Sequence, residues 1–460
     1  MTIADLAAAV RERRVSIEEL VLRSFDRIDR LDPPIGAVVA LREEALAEAR
    51  AADASGSSDG PLAGLPLLVK DTEHVKGMRT TFGSLLHAED PPSAVDELSV
   101  ERLRGAGAIV VGKTNVPEFA FEGFASNRLF GATRNPWVPE WSPGGSSGGS
   151  AAALVMGLAP LATATDGGGS VRIPAAFCGL AGLKPTNGLV GRRPIPAWMD
   201  LSTSGPLAAS IADLRMLFDV IRGPVRGDPS VAPSWTPRTS ARPARILAAP
   251  RMVDWGPLPG GIAASFEVSL GRLELATGLP IEPTEASRIF TNGNADDDWS
   301  LFACVDQLTA LGRETVESNS HLFTPLFLRA MRHATRYSLE DYIAARRRRF
   351  VYARELDELL GDDAVLVCPT MCVEGFLADG RMVGRDEPGT DSKAYNTQVA
   401  NLTGHPALSV PAGLSSNGVP FGLQITGPRF GDDLVLSVGA SWESANPWPP
   451  LAPGYEPFDR

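Results

Sequence analysis

Seven short apolar runs constrain the fold of this chain more than any other feature: Leu65–Val69, Ala108–Val111, Leu161–Thr165, Ile246–Ala249, Ala364–Val367, Leu408–Val410 and Leu423–Ile425. None contains a charged residue. Short, uncharged, largely apolar runs read as strands covered on both faces. Helical stretches lie between them, among them Ser99–Gly105 and Ser150–Leu158, so the expectation is an α/β layered fold. Before the first run, residues 1 to 55 read as helices. Ser16-Ile-Glu-Glu is a capping box, after which Ile17, Leu20, Val21, Ile28 and Leu31 share one helical face. The segment 54–60 reads as a loop and Pro224–Pro250 as a long connection. Residues 262–360 are mostly helical in pattern. Ser338-Leu-Glu-Asp opens a helix carrying Arg346–Arg349, read as a solvated face with Glu355, Asp357 and Glu358 as acidic neighbours.

The 460 residues are enough to bury a large core without staples. A net charge of -12 opposes a nucleic-acid partner, which needs a cationic face. Cys178, Cys304, Cys368 and Cys372 are too few for a disulfide scaffold. The C-x3-C spacing of the last two lacks a second ligand pair, so they read as plain thiols. The opening Met-Thr-Ile-Ala-Asp-Leu has no basic region followed by a long apolar one, which gives the expectation of a cytoplasmic protein. The uncharged stretch Ser142–Thr165 is broken by glycine and proline and reads as a buried loop and helix, not a membrane span.

The chemistry is concentrated between Lys70 and Arg172. Ser142-Pro-Gly-Gly-Ser-Ser-Gly-Gly-Ser150 runs straight into an apolar helix, unlike a linker, and it lacks the lysine of a phosphate-binding loop. Asp166-Gly-Gly-Gly-Ser170 places a hydroxyl beside backbone N–H groups with no side chains in the way. Acyl transfer needs that arrangement to hold an oxyanion. A structural turn stiffened by an Asp166–Arg172 pair accounts for the same residues equally well. The base also stays open. His74, His87, His321, His333 and His405 lie outside any catalytic-looking motif, and Lys70, at the end of an apolar run, is either a salt-bridged structural residue or an amine made less basic by burial.

Together these segments resemble the amidase signature family. The matching motifs are Gly64-Leu-Pro-Leu-Leu-Val-Lys-Asp71, Gly112-Lys-Thr-Asn-Val-Pro-Glu-Phe119, Asn135-Pro-Trp137, Ser142–Ser150, Thr165–Pro174 and Gly179-Leu-Ala-Gly-Leu-Lys-Pro-Thr186. Asn401-Leu-Thr-Gly-His-Pro-Ala407 and Gly422–Gly431 follow near the end, in the family's order. The resemblance implies a single α/β/α domain over residues 1–460, with a large mixed, mostly parallel central sheet flanked by helices. Within it fall an N-terminal helical segment (1–60), a catalytic motif core (61–225), a variable, mostly helical substrate-side region (226–360) and the C-terminal part of the sheet (361–460). It further implies Lys70 as base, Ser146 as relay after a cis peptide, and Ser170 as nucleophile. The N–H groups of Gly167, Gly168, Gly169 and Ser170 become the oxyanion hole, with Asp166, Arg172 and Ser147 in support. Gly167 fills the free position of the family's Asp-x-Gly-Gly-Ser and is expected to soften the loop. The implied activity is hydrolysis of a small-molecule amide with no cofactor, no metal and no membrane, and a homodimer is compatible with it.

Phe119, Phe121, Phe124, Trp198 and Met199 flank the motifs, either as core or as an apolar pocket for an apolar or aromatic amide. Three alternatives remain. The A subunit of a glutamyl-tRNA amidotransferase shares the triad but carries Gln where Ile173 stands. The other two are a non-catalytic binding protein on the same scaffold and an esterase.

Overall fold

The computed structural model describes residues 2–56, 60–232, 234, 242–291, 294–389 and 391–459, so parts of the expected loop at 54–60 and of the connection at 224–250 lie outside the described residues. Each of the seven apolar runs contributes to a strand. A four-stranded sheet has the order Val38–Leu41, Ile109–Thr114, Pro66–Lys70, Leu161–Ala162. A seven-stranded sheet has the order Leu207–Ala208, Ala181–Lys184, Ala407–Leu414, Pro420–Thr426, Ala364–Pro369, Arg245–Ala248, Ile281–Pro283. Helices pack around both, and the class is mixed α/β as expected.

The expected parallel majority in one central sheet is not what the strands form. In the larger sheet only the last three strands run parallel, and the other ladders are antiparallel. For one of these ladders the reason is connection length. Ala407–Leu414 and Pro420–Thr426 are joined by a tight turn closed by the Ser415 N–H on the Val419 carbonyl at 2.8 Å, which is too short for a crossover. Both strands are nonetheless buried on both faces for most of their length, so they carry the same apolar signature as parallel strands.

The run Leu161–Thr165 also divides. Leu161–Ala162 joins the smaller sheet, while Thr165–Asp166 pairs with Thr203–Ser204. Between them the Thr163 hydroxyl accepts the Lys70 N–H at 2.9 Å, so a side chain occupies a rung of the ladder. The stretch 142–165 thus forms a turn, the helix Gly148–Val155 and two short strands, and no helix among the described residues is long and apolar enough to cross a membrane.

Two helix starts behave as the sequence suggests. Ser16 and Glu19 cap one another's backbone, as do Ser338 and Asp341. The arginine run differs in its partners. Arg346 pairs with Asp200 at 2.7 Å and Arg348 with Asp298 at 2.6 Å, while Arg349 donates to the carbonyls of Leu402 and Asp200. The helix Leu339–Leu360 is therefore tied to the Trp198 loop and to the helix Ala295–Leu311, not to the acids on its own surface.

Candidate active site

Lys70 is the last residue of its strand, and its side chain is fully buried. Burial lowers its pKa from the usual 10.5 to about 7, against the opposing charges of Glu73 and Asp166. The amine is therefore poised to exist uncharged near neutrality. Nζ is hydrogen bonded to Ser146 Oγ and Thr165 Oγ1, each at 2.7 Å. Ser146 follows a cis peptide from Gly145, as the resemblance implied. The two threonines that hold Lys70, Thr163 and Thr165, were not singled out from sequence, although they alternate within one apolar run.

Ser147 clips the two glycine-serine segments together. Its N–H donates to the Ser170 carbonyl at 3.2 Å and its hydroxyl to the Thr165 carbonyl at 3.4 Å. Ser146 and Ser170 line one cavity. His74 and His87 also line it, but no hydrogen bond among the described residues joins a histidine to either serine. His405 is buried elsewhere against Asp357 at 3.2 Å.

The turn 166–170 is fixed peptide by peptide. A trans peptide points its N–H away from its carbonyl, so anchoring one sets the other. The Asp166 carbonyl accepts from Asn401 Nδ2 at 3.0 Å, which sets the Gly167 N–H. The Gly167 carbonyl accepts from Trp299 Nε1 at 2.8 Å, which sets the Gly168 N–H. The Gly169 carbonyl accepts the Ile173 N–H at 2.7 Å, which sets the Ser170 N–H. None of these three N–H groups is taken up by a hydrogen bond among the described residues. Gly169 departs from the expected set: its N–H donates to Asp166 Oδ1 at 2.7 Å and so serves the turn itself.

Asp166 and Arg172 form the anticipated pair, with both side chains fully buried. Arg172 grips both carboxylate oxygens at 2.9 Å and also reaches the Thr397 carbonyl, Asn401 Oδ1 and Gln424 Oε1. Burial alone would raise the Asp166 pKa. Arg172, with hydrogen bonds from it and from Asn401, outweighs burial and holds the value at about 2. The distant motifs around Asn401 and Gln424 therefore act as anchors for this turn.

Packing leaves no room for a side chain at Gly167 or Gly168. A Cβ at Gly167 would overlap the Trp198 ring, and one at Gly168 would overlap the Trp299 ring. The two indoles meet edge to face at 5.8 Å. Nothing local in the sequence marked Trp299, which lies in the segment with least resemblance to the family.

Ser170 lies where two cavities meet. The larger, about 740 Å³, is lined by Phe121, Ile173, Trp198 and Trp299 among others; the smaller, about 400 Å³, by Phe119, Thr165, Gly167 and Trp198. Ser146 lines only the smaller. Of the five flanking residues named above, Phe119, Phe121 and Trp198 reach a cavity. Phe124 packs internally against Phe376, and Met199 is half exposed.

Comparison with known proteins places this site in a recognised context. The Amidase family profile matches residues 19–436. An acylamidase of Rhodococcus erythropolis is 32% identical, with 97% of this chain and 96% of that protein covered. The A subunit of the glutamyl-tRNA(Gln) amidotransferase of a Synechococcus species is 34% identical, with 97% of this chain and 96% of that protein covered. Among solved structures, a bacterial aryl acylamidase of the amidase signature family superposes with a TM-score of 0.87 at 27% identity, covering 97% of this chain and 96% of that one.

Proposed function

This chain belongs to the amidase signature family and is an amide-hydrolysing enzyme, and from that premise we propose that it cleaves a small amide through an acyl-enzyme on Ser170, with Ser146 as relay and Lys70 as base. The observation that carries this reading is the 2.7 Å contact between a buried, weakly basic Lys70 amine and Ser146 Oγ, in the cavity that Ser170 also lines.

Neutral Lys70 accepts the Ser146 proton as Ser146 takes the proton of Ser170. The Ser170 oxygen attacks the amide carbon, and the N–H groups of Gly167, Gly168 and Ser170 hold the oxyanion. Collapse breaks the C–N bond, and the proton returns from Lys70 through Ser146 to the departing nitrogen. Water then attacks the ester by the same relay, releasing the acid. Proton transfer of this kind contributes about 10²–10⁴-fold, and one oxyanion donor about 10²–10³-fold. The aromatic lining of the larger cavity supports an apolar or aryl group as part of the substrate.

A hydrolysis screen over aliphatic, aryl and amino-acid amides, including anilides, identifies the group. A fluorophosphonate probe should label Ser170, and Ser170→Ala should lose both labelling and turnover. Wild-type turnover in that variant would refute the assignment.

A further inference from the structure

The two cavities differ in charge, and the smaller one holds a carboxyl that its surroundings leave incomplete. Glu73 is 2% exposed. Its Oε1 accepts from Ser99 Oγ at 2.5 Å, while Oε2 is buried with no hydrogen-bond partner. Glu97 lines the same cavity, accepting the His74 N–H at 3.4 Å. The cations nearby are engaged by other carboxylates: Lys113 with Asp71 at 3.0 Å, Arg192 with Asp228 at 3.2 Å, Arg193 with Glu101, and His87 with Asp90 at 2.7 Å. Lys70, in its working form, is neutral. Burial and the neighbouring Glu73 push the Glu97 carboxyl up to about 8, against the lowering influence of the His74 N–H and of Lys113.

The smaller cavity also has a defined place in the reaction. The departing nitrogen must receive its proton from Ser146, and only the smaller cavity touches Ser146. We infer that the smaller cavity is the leaving-group subsite and that Glu73 selects an amine bearing a second, cationic nitrogen, so that the favoured substrates are monoamides of short diamines. This rests on the Ser170–Ser146–Lys70 reading for its direction. The bond broken is the amide C–N bond. The products are the carboxylic acid and the diamine, whose remote ammonium stays on the Glu73 carboxylate while the new amine leaves Ser146.

The test compares the phenylacetyl amides of propylamine and of 1,3-diaminopropane. A charge-assisted contact to a buried carboxylate predicts a kcat/KM ratio of about 10–100 in favour of the diamine amide. In Glu73→Gln that ratio should fall toward one, whereas Glu97→Gln, which removes little charge near neutral pH, should change it less. A wild-type ratio at or below one, or a ratio unchanged in Glu73→Gln, overturns the inference. Inhibition of the wild-type enzyme by 1,3-diaminopropane against propylamine needs no variant, and equal inhibition also overturns it. Because amine inhibition reads the subsite without turnover, it remains informative if Ser170→Ala shows the nucleophile to be elsewhere.

Discussion

Two parts of the cavity lining around Ser170 are built on different principles. On one side, the turn from Asp166 to Ser170 is held by polar contacts from distant parts of the chain: Asn401, Trp299 and Thr397 on its carbonyls, and Arg172 on its carboxylate. On the other, the wall formed by Phe119, Phe121 and the helix Pro325–Ala334 is held by ring packing. Phe119 stacks on Phe327 at 4.8 Å and Phe121 meets Phe327 edge-on at 5.5 Å, with Arg329, Arg332 and Arg336 exposed at the rim. Hydrogen bonds fix a direction to within tens of degrees, whereas apolar packing fixes mainly a volume. The proposed nucleophile sits on the wall that needs direction, and the apolar cavity lining sits on the wall that tolerates replacement.

The sharpest break in this contrast is Arg172→Met. It keeps bulk but leaves Asp166 buried without its cation, at a cost of about 3–5 kcal/mol. Urea unfolding should show that loss, together with loss of turnover. The pH dependence has a defined sign. In the wild type the Asp166 contribution is present above the usual carboxylate range and fades as pH falls through about 2. In the variant burial wins, the folded-state pKa rises above the unfolded one, and stability is regained on acidification. The gap between the two proteins should therefore narrow at low pH, and a constant gap would argue against an ion-pair origin.

Next in size is Lys70→Met, for which kcat/KM should fall by about 10²–10⁴-fold. In the wild type the acid limb should lie near pH 7, with rate rising as the amine loses its proton. In the variant that limb should vanish. A limb near 7 that survives in Lys70→Met would assign the titration to another group.

The same contrast explains what was legible in the sequence. Strand positions were readable because burial on both faces writes a dense apolar code, but strand direction was not, because antiparallel strands covered on both faces write the same code. The Lys70, Ser146 and Ser170 segments were readable because glycine-rich and apolar motifs are local. Thr163, Thr165 and Trp299 were missed because their roles depend on what folds against them. Gly169 was assigned as an oxyanion donor because three glycines in a row look equivalent in sequence. Only the Asp166 carboxylate distinguishes its N–H from the others.

Trp299 is the residue that crosses from one wall to the other. It lies on the helix Ala295–Leu311 and lines the larger cavity, yet its Nε1–H holds the Gly167 carbonyl and so aims the Gly168 N–H. Trp299→Phe separates these two roles, because it keeps a ring over Gly168 and removes the donor. A neutral hydrogen bond of this kind contributes about 0.5–1.5 kcal/mol, so a loss felt in the transition state should lower kcat by about 3- to 10-fold. KM should change less, because the apolar lining is largely retained. The opposite pattern, a raised KM with kcat intact, would return Trp299 to the packing wall and leave the Gly167–Gly168 peptide held by its neighbours alone. Equal loss across aryl and aliphatic amides would further separate aiming of the oxyanion donor from recognition of the substrate, since only recognition depends on the group that fills the cavity.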